Sequence, residues 1–447
     1  MPGARDLARS VLRRVRREDA YASLSLAAAL RGSGLPPEER ALATELVYGV
    51  LRHQRRLDHA LARHATRPLR KVDPEVLDLM RLAAYQALLL DRVPAHAAVD
   101  HAVGAVRRTS GARVAGFANA VLRKLTIADL TRDLPEDAGA RLAVEGSLPD
   151  ELARYLVRRL GPGEAGRLAH SLLDRAPVTL RVNTLRTEPE ALAERLRAEG
   201  VEVRPGRLAA SALRVVGSAV GLFELRTHAE GLWSVQDEAA QLVGLALAPR
   251  PGETVLDACA GLGGKAMHLA ALLENRGLVL CADVNPRKLE LLEETAARLG
   301  VTCCVARQAD ARSPAPHDGR TVDRVLVDAP CTGLGVLRRH PELKWRRGAG
   351  LAALPELVAL QRELLEAALA ALRPGGVLVY SVCTLTAEEG PEQLDGLLGA
   401  HPELEPDPLP EVLGAIPQRD PRAGVLALWP HEHEVDGFFI ARMRKVQ

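Results

Sequence analysis

Two cysteines each follow an apolar run of the kind that forms a buried parallel strand. Cys331 comes after the run at 325–330, and Cys383 comes after the run at 376–382. In open α/β sheets, ligands bind just beyond the carboxyl ends of the strands. Both thiols could therefore face one pocket, with Asp328 close to them. These groups suit a reaction in which one thiol adds to a substrate and the other helps it to leave.

A glycine-rich loop at 257–265 predicts the second reactant. It reads Asp-Ala-Cys-Ala-Gly-Leu-Gly-Gly-Lys and joins a predicted strand to a predicted helix. Glycines at such a turn let a ligand approach the backbone and the helix N-terminus. Asp283 ends the next predicted strand, about 20 residues past Gly263, where an acid can hold both ribose hydroxyls of a nucleoside.

The spacing of the phosphate-binding loops, G-x-G-x-x-G or Walker type, is absent from this turn. An adenosine cofactor without phosphates fits better, which predicts S-adenosylmethionine. Its amino-acid end needs backbone donors and Lys265, and Asp310, after the third strand, could accept from the adenine amino group. The complete predicted cofactor set is Cys259, Ala260, Gly261, Gly263, Gly264, Lys265, Asp283, Arg287, Asp310 and Asp328.

Two thiols and a methyl donor together suit methylation at carbon 5 of cytosine, which is a poor nucleophile. A thiolate that adds to carbon 6 turns the ring into an enamine, and carbon 5 can then take a methyl group. The carbon-5 proton must leave and the thiolate must be expelled. A nucleophile, a group that supports charge at ring N3 and a base are needed, and Cys383, Asp328 and Cys331 are the candidates.

The other cysteines and the apolar pattern bound the class of protein. Cys281 and the adjacent Cys303 and Cys304 are expected to be small buried apolar residues. The chain has no C-x-x-C pair, so no metal site is predicted. It shows no secretory apolar region and no long apolar span, which predicts a cytoplasmic protein without disulfides and without a membrane partner.

Charge is unevenly spread along the 447 residues, whose net charge is +2. Residues 1–124 carry 22 Lys and Arg against 12 Asp and Glu, and the remainder is acidic. A basic first segment beside an acidic remainder indicates contact with a polyanion such as nucleic acid. Arginine-rich composition offers another explanation, because the whole chain contains only six Lys.

The elements that must position these residues fall into three domains and a linker. Residues 1–130 show apolar spacing typical of helices, with Pro between them, and the polar stretch at 131–146 reads as a linker. Residues 147–235 read as a small α+β domain. Residues 236–447 alternate strands and helices, which predicts a doubly wound parallel sheet. Its strands are predicted near 254–258, 278–283, 302–306, 322–328, 376–382 and 438–443.

Six sequence features, five short motifs and the helical first segment, resemble those of the RNA 5-methylcytosine methyltransferases of the RsmB/Sun type. They are the loop at 257–265, Asp-Ala-Pro-Cys-Thr-Gly at 328–333, Val-Cys-Thr at 382–384, Arg-Arg-His-Pro-Glu-Leu-Lys-Trp at 338–345, Asp-Gly-Phe-Phe at 436–439 and the basic helical first segment. The sequence departs from the family loop at Gly261, Leu262 and Ala266, and Val382 stands where the family has Thr.

The resemblance implies a fold and roles that spacing alone leaves open. It implies an all-α NusB-like RNA-binding domain, a small α+β RNA-binding subdomain and a Rossmann-like class I S-adenosylmethionine methyltransferase domain. Cys383 would attack the base, and Cys331 would assist proton removal or product release. The bacterial RsmB branch modifies small-subunit ribosomal RNA, so this RNA is the expected partner of a chain expected to be monomeric.

Three alternatives stay open from the sequence. The enzyme could act on transfer RNA, because nothing in the catalytic loops excludes it. The chain could be a non-catalytic RNA-binding assembly factor, although both cysteines and Asp328 are present. Residues 1–125 could also bind a protein partner, which is compatible with catalysis.

Overall fold

The computed structural model describes residues 3–91, 93–217, 219, 221–346, 348 and 350–446. The chain divides into two compact units. The helical unit comprises Met1–Arg175 together with Leu337–Leu351, and the sheet unit comprises Ala176–Val336 together with Ala352–Gln447. Within the described residues, no helix is both long and apolar enough to cross a membrane.

Apolar residues at helical spacing predict helices at 4–17, 22–31, 37–64 and 74–90, and the first four helices of the helical unit lie within one residue of these bounds at each end. The two helices predicted next, at 94–108 and 115–125, form one helix that is broken at Gly111, whose φ of 83° lies in the left-handed region. The helices of this unit are α1 (Ala4–Glu18), α2 (Ala22–Arg31), α3 (Pro37–His64), α4 (Pro74–Leu89), α5 (Ala95–Leu122), α6 (Ala138–Glu145) and α7 (Asp150–Ser171).

Helix α6 lies in the stretch that the sequence predicts to be a linker. It buries Leu142, Ala143 and Val144, and Asp137 caps its first turn by accepting from the backbone N–H of Ala140. Helix α7 follows directly and is broken at Gly161. The polar residues of the stretch therefore flank a packed helix, which the average polarity of its sixteen residues conceals.

A segment from the second half of the chain completes the helical unit. Glu342 accepts from the backbone N–H of Ala22 (3.1 Å) at the start of α2. Lys344 Nζ donates to the carbonyl oxygens of Arg52 (3.0 Å) and Ser147 (2.9 Å). Trp345 Nε1 donates to the carbonyl oxygen of Leu51 (2.7 Å). The motif at 338–345 thus satisfies buried backbone groups of the helices.

The sheet unit begins with a small antiparallel sheet of order β2-β3-β1-β4. Its core includes Leu180 and Trp233, both fully buried. The elements of this part are β1 (Thr179–Val182), α8 (Pro189–Ala198), β2 (Val203–Pro205), β3 (Ala212–Val215), α9 (Arg226–Ala229) and β4 (Trp233–Val235).

The large sheet has the order β10-β12-β9-β8-β5-β6-β7, and β11 pairs with β12. Its strands are β5 (Thr254–Asp257), β6 (Leu278–Asp283), β7 (Cys304–Gln308), β8 (Val322–Asp328), β9 (Leu372–Val382), β10 (Leu404–Pro406), β11 (Val425–Leu428) and β12 (Phe438–Lys445). Its helices are α10 (Glu238–Leu247), α11 (Gly264–Leu272), α12 (Pro286–Leu299), α13 (Leu354–Ala371), α14 (Pro391–Ala400) and α15 (Pro430–His433).

Alternate strand residues feed two separate cores, one on each face of this sheet. Val255 and Leu326 pack with α10, α11 and α12, whereas Leu256 and Val325 pack with α13 and α14. This double burial explains why the central strands read as continuous apolar runs.

The prediction of a purely parallel sheet is wrong at one edge. Strands β5 to β9 pair in parallel, but β12 runs antiparallel to β9, and the unpredicted short strands β10 and β11 run antiparallel to β12. Apolar periodicity predicts where a strand lies but not whether it runs parallel or antiparallel to its neighbour. Here the short connection from β11 through α15 reverses the chain and makes an antiparallel pair.

Replacing Lys344 by Met should destabilise the helical unit. The two carbonyl oxygens that accept hydrogen bonds from Lys344 would lose their buried donor, which should lower the free energy of unfolding by about 1–3 kcal/mol for each bond. Hydrogen–deuterium exchange of α3 should accelerate accordingly. Lys124→Met changes the same charge at an exposed site of this unit and should alter stability by less than about 0.5 kcal/mol. Equal protection in the two variants would show that the segment at 337–351 does not stabilise the helices.

Candidate active site

Neighbouring strands bring the predicted site residues to one edge of the large sheet. In the order β9, β8, β5 and β6, each strand pairs in parallel with the next. The register places Asp328 beside Ser381 and Asp257 beside Leu326. The carboxyl ends of parallel strands meet at the same edge, which is where ligands bind in such sheets. That edge therefore carries Asp257, Asp283, Asp328 and Cys383.

The two predicted thiols lie side by side at this edge. Cys331 Sγ and Cys383 Sγ are 3.3 Å apart, and both cysteines are free and half-buried. Hydrogen bonding to the Cys383 sulfur, followed by burial, raises the pKa of Cys331 well above its usual range. This shift disfavours the thiolate form of Cys331.

Asp328 is held from both sides by partners that the sequence does not reveal. Its Oδ2 atom lies 2.6 Å from Lys265 Nζ, and its Oδ1 atom accepts from Ser381 Oγ (2.8 Å). Burial lowers the pKa of Lys265, but the Asp328 carboxylate more than compensates and the net shift is upward. Lys265 therefore stays an ammonium, 5.4 Å from the ring centre of Phe438.

The backbone of Cys383 is fixed by two glycine segments. The N–H of Gly335 donates to the carbonyl oxygen of Cys383 (3.0 Å), and the N–H of Gly437 donates to that of Gly335 (2.9 Å). A Cβ on Gly335 would lie 2.0 Å from the Gly437 oxygen. Only glycine permits this approach, so the motif at 436–439 supports the thiol. Val382, which departs from the family motif, is fully buried in the sheet core.

The glycine-rich loop forms a tight turn between β5 and α11. Gly261 (φ 56°) and Gly263 (φ 82°) adopt left-handed conformations. A Cβ on Gly263 would meet Leu292 at 2.6 Å, whereas one on Gly261 would meet only the Cys259 oxygen at 4.0 Å. The open side of Gly261 leaves room for a ligand to approach the backbone, and Gly264 begins α11. The loop thus fits the adenosine cofactor that the sequence predicts.

Asp283 joins this loop to the end of β6. Its Oδ2 atom accepts from the backbone N–H of Gly261 (3.1 Å) and lies 3.4 Å from Lys288 Nζ, and its Oδ1 atom accepts from the N–H of Asn285 (2.8 Å). The carboxylate is 9% exposed. It therefore orients the loop and presents acceptors where ribose hydroxyls are expected.

The structure adds Asp257 to the site, although the sequence argument quoted it only as part of the loop. Asp257 is 1% exposed, and burial, followed by the charge of Asp328, raises its pKa to about 7. A buried carboxyl next to the loop suits the cationic amino-acid end of the expected cofactor. The position of Asp257 as the last residue of a buried strand could have identified it from the sequence.

Arg181 is a second residue that sequence reasoning missed. It is fully buried, burial lowers its pKa to about 9, and its guanidinium donates to Gln236 Oε1 and to the Gly264 oxygen (2.6 Å). Strand β1 of the small sheet therefore supports the first turn of α11. The residue lies about 80 positions from the loop in sequence, so no local pattern marks it.

The surroundings of three predicted cofactor residues, Asp310, Arg287 and Cys259, differ from those of the other predicted residues. Asp310 forms a two-pronged ion pair with Arg312 (2.6–3.0 Å) at the surface. The side chain of Arg287 is exposed in the first turn of α12. Burial, followed by nearby carboxylates, raises the pKa of Cys259 far above its usual range, which disfavours its thiolate form. Ala260 donates its N–H to Ala282 (2.9 Å) and links the loop to β6.

Comparison with known proteins gives the family. Residues 244–444 match the family described as 16S rRNA methyltransferase RsmB/F. Residues 2–126 match the NusB family, and residues 149–220 match the ferredoxin-like domain of RsmF/B-like methyltransferases. The probable ribosomal RNA small subunit methyltransferase B of Bacillus subtilis is 37% identical over 99% of this chain and 98% of its own length. The chain belongs to the RsmB/F family.

Other members of the RsmB/F family and solved structures agree. The ribosomal RNA small subunit methyltransferase B of Thermus thermophilus is 38% identical over 95% of this chain and 94% of its own. The crystal structure of PH0851 covers 100% of this chain and 99% of its own, with 27% identity and a TM-score of 0.82. NSun6 from Pyrococcus horikoshii, solved with SFG, an S-adenosylmethionine analogue, covers 67% and 98% with 26% identity and a TM-score of 0.59. The expected family and fold classes are confirmed.

Asp257→Asn should weaken the pH dependence of stability. Burial favours the protonated acid, so the stability that Asp257 contributes is complete below its unfolded pKa of about 4 and is lost as the pH rises through about 7. The free energy of unfolding of the parent relative to the variant should fall by up to about 1.4 kcal/mol per pH unit in this window. Urea unfolding at several pH values between about 5 and 8 measures the difference.

Asp395→Asn is the matched control, because the Asp395 side chain is 66% exposed. Its stability relative to the parent should not change over the same pH range. Parallel pH curves for the parent and Asp257→Asn would mean that Asp257 is ionised throughout and does not titrate in this window.

Proposed function

We propose that the protein transfers a methyl group from S-adenosylmethionine to carbon 5 of a cytosine in small-subunit (16S) ribosomal RNA, through a covalent cysteine–RNA intermediate. The observation that carries the proposal is the pair of thiols 3.3 Å apart, beside Asp328 and at the same sheet edge as the glycine loop. One thiol would suffice for simple addition. A second thiol in contact with the first matches a reaction that must also expel the nucleophile.

S-adenosylmethionine, when bound, supplies an electrophilic methyl group. Gly261, Gly263 and Gly264 would let it approach the backbone, Asp283 would accept from its ribose, and Asp257 would face its amino-acid end. Lys265 Nζ lies 2.6 Å from Asp328 Oδ2, so this ion pair connects the first turn of α11 to the proposed catalytic carboxylate. These contacts would place the methyl donor against the strand ends that carry the thiols.

Cys383 is the proposed nucleophile. Its Sγ atom would add to carbon 6 of cytosine, and the electron pair of the 5,6 double bond would become available at carbon 5. Two neighbours are placed to assist this sulfur. Cys331 Sγ lies 3.3 Å from it, and the Lys265 ammonium interacts electrostatically with Cys383.

Asp328 would support the charge that reaches ring N3 during this addition. The proton that the Cys383 thiol loses would pass through the Asp328 carboxylate to N3, which would neutralise the ring as the sulfur–carbon bond forms. Ser381 and Lys265 fix the carboxylate oxygens, so the group is oriented before the base arrives. Orientation in advance is what makes such a group effective in catalysis.

Cys331 is proposed to resolve the adduct. After carbon 5 has taken the methyl group, its proton must leave so that the ring becomes aromatic again. Cys331 would first release its own proton to solvent and would then take this proton as a thiolate. The electrons of the carbon–hydrogen bond then restore the 5,6 double bond, and the bond from carbon 6 to Cys383 Sγ breaks, which returns the thiolate.

Ribosomal RNA is proposed as the substrate because several similar proteins are named ribosomal RNA small subunit methyltransferase B. The basic first segment, which matches the NusB family, would add affinity for the RNA backbone. Mapping 5-methylcytosine in ribosomal and transfer RNA of cells with and without the protein tests the assignment. Loss of a mark from transfer RNA alone would make that RNA the substrate. A monomeric state, a cytoplasmic location and the absence of a metal stay predictions.

The two thiols should respond differently to substitution. Cys383→Ala should abolish methyl transfer and leave no covalent adduct, because carbon 5 is never activated. Cys331→Ala should still form the adduct and accept the methyl group, so protein–RNA species should accumulate and survive denaturing electrophoresis. Asp328→Ala should suppress both adduct and product, since charge at N3 is unsupported in the addition step.

A reversed pattern, with trapped RNA in Cys383→Ala only, would exchange the roles of the two cysteines. Unchanged product in both cysteine variants would contradict covalent catalysis. Cys281→Ala is the matched control, because this thiol is fully buried in the sheet core and should leave the methyl-transfer rate unchanged.

Cofactor affinity should depend on Asp283 more than on Asp310. Asp283→Ala removes a charged acceptor worth about 1.5–3 kcal/mol, which corresponds to about 10- to 150-fold in affinity for S-adenosylhomocysteine. Asp310→Ala should weaken binding less, because both oxygens of the Asp310 carboxylate already accept hydrogen bonds from Arg312. Calorimetry measures both. Equal affinity of the parent and Asp283→Ala would show that this acid only orients the loop.

A further inference from the structure

Glu389 is a fully buried carboxylate beside the two cysteine loops. It lies six residues after Cys383, and no part of the mechanism above uses it. A buried charge is costly unless several donors satisfy it. The donors that satisfy Glu389 come from both loops, which gives this residue a place in the active site that its sequence position does not indicate.

Each oxygen of Glu389 accepts from two donors. Oε1 accepts from the backbone N–H of Thr332 (2.8 Å) and from Gln361 Nε2 (3.0 Å). Oε2 accepts from the hydroxyls of Thr332 (2.5 Å) and Thr386 (2.7 Å). Four donors around two oxygens satisfy the ionised form and leave the group little freedom to rotate.

These bonds join the residues that follow the two thiols. Thr332 follows Cys331, and Thr384 follows Cys383. Their hydroxyl oxygens are 2.6 Å apart, and the Thr332 hydroxyl donates to Glu389. The carboxylate therefore connects the Cys331 loop to the Cys383 loop through hydrogen bonds.

Surrounding polar groups hold the same carboxylate and loop in place. Gln361 Nε2 also donates to the carbonyl oxygen of Pro330 (2.9 Å), just before Cys331. The Tyr380 hydroxyl donates to the carbonyl oxygen of Glu389 (2.6 Å). The loop of Cys331 is thus bound to Glu389 directly through Thr332 and indirectly through Gln361.

We propose that Glu389 is a positioning residue that fixes Cys331 at the distance from Cys383 needed to resolve the covalent adduct. The proposal rests on the proposed function, since it concerns the second half of that reaction. Glu389 does not contact the substrate in this proposal. It acts through Thr332 and Thr384, and its loss would affect adduct breakdown more than adduct formation, because Cys383 is also held by Gly335 and Gly437.

The test compares Glu389→Ala with Glu389→Gln in single-turnover methylation of RNA. An amide keeps one acceptor for the Thr332 N–H and Gln361, and its NH₂ can donate to the two hydroxyls, which can reverse. Glu389→Gln should therefore retain the parental ratio of adduct to product. Glu389→Ala should raise that ratio and slow product release by about 100-fold, the effect of a misplacement of about 1 Å.

Three further measurements separate positioning from general loss of structure. KM for S-adenosylmethionine should stay at the parental value in both variants, because the glycine loop is untouched. Glu392→Gln removes a similar charge from an exposed site of α14 and should leave the ratio unchanged. If Glu389→Ala does not fold, Thr332→Val decides, because it keeps the carboxylate and the side-chain volume but breaks the link to Thr384. It should raise the adduct ratio in the same direction.

Absence of methylation by the parent protein would contradict the proposed function itself. An active parent, combined with parental adduct ratios in Glu389→Ala or in Thr332→Val, would overturn the positioning role alone. A fall in adduct formation as large as the fall in product would also overturn it, since that result would place the effect of Glu389 on Cys383 and not on Cys331.

Discussion

The ion pair between Lys265 and Asp328 is the constraint on which the rest of the site depends. It joins the first turn of α11 to the end of β8 at 2.6 Å, with side chains 14% and 26% exposed. Removal of one partner from a buried pair costs about 3–5 kcal/mol, because a charge is left without compensation. The loop proposed to hold the methyl donor and the strand that leads to Cys331 are therefore kept at one separation.

The thiols themselves depend on close backbone packing and on buried polar groups. Gly335 and Gly437 let three backbone segments stack at Cys383, where a single Cβ would clash. Glu389 accepts hydrogen bonds from both cysteine loops, and the two sulfurs lie 3.3 Å apart without a covalent bond. Apolar packing places the strands, but these polar and steric contacts determine the geometry at their ends.

The motif at 338–345 shows how a resemblance can identify a segment without giving its role. Glu342, Lys344 and Trp345 donate to or accept from backbone groups of the helical unit. Burial lowers the pKa of Lys344 to about 7. These residues form hydrogen bonds with the helices, a structural role that a search of the sequence for catalytic residues would overlook. Only spatial contacts distinguish a structural lysine from a catalytic one.

The sequence by itself determined the helices of the first segment, the parallel strands, the glycine turn and the two cysteines at strand ends. Each is a local pattern of apolar spacing or turn residues. It did not determine the antiparallel direction of β12 or the short strands at that edge, since direction and edge pairing depend on chain reversal. It also did not determine helix α6, whose apolar residues lie within a polar stretch. The thiol separation, the raised pKa of Asp257, the pairing of Asp310 with Arg312 and the bonds of Glu389 were decided only by the tertiary structure. Distances and burial arise between residues far apart in sequence, and no local pattern encodes them.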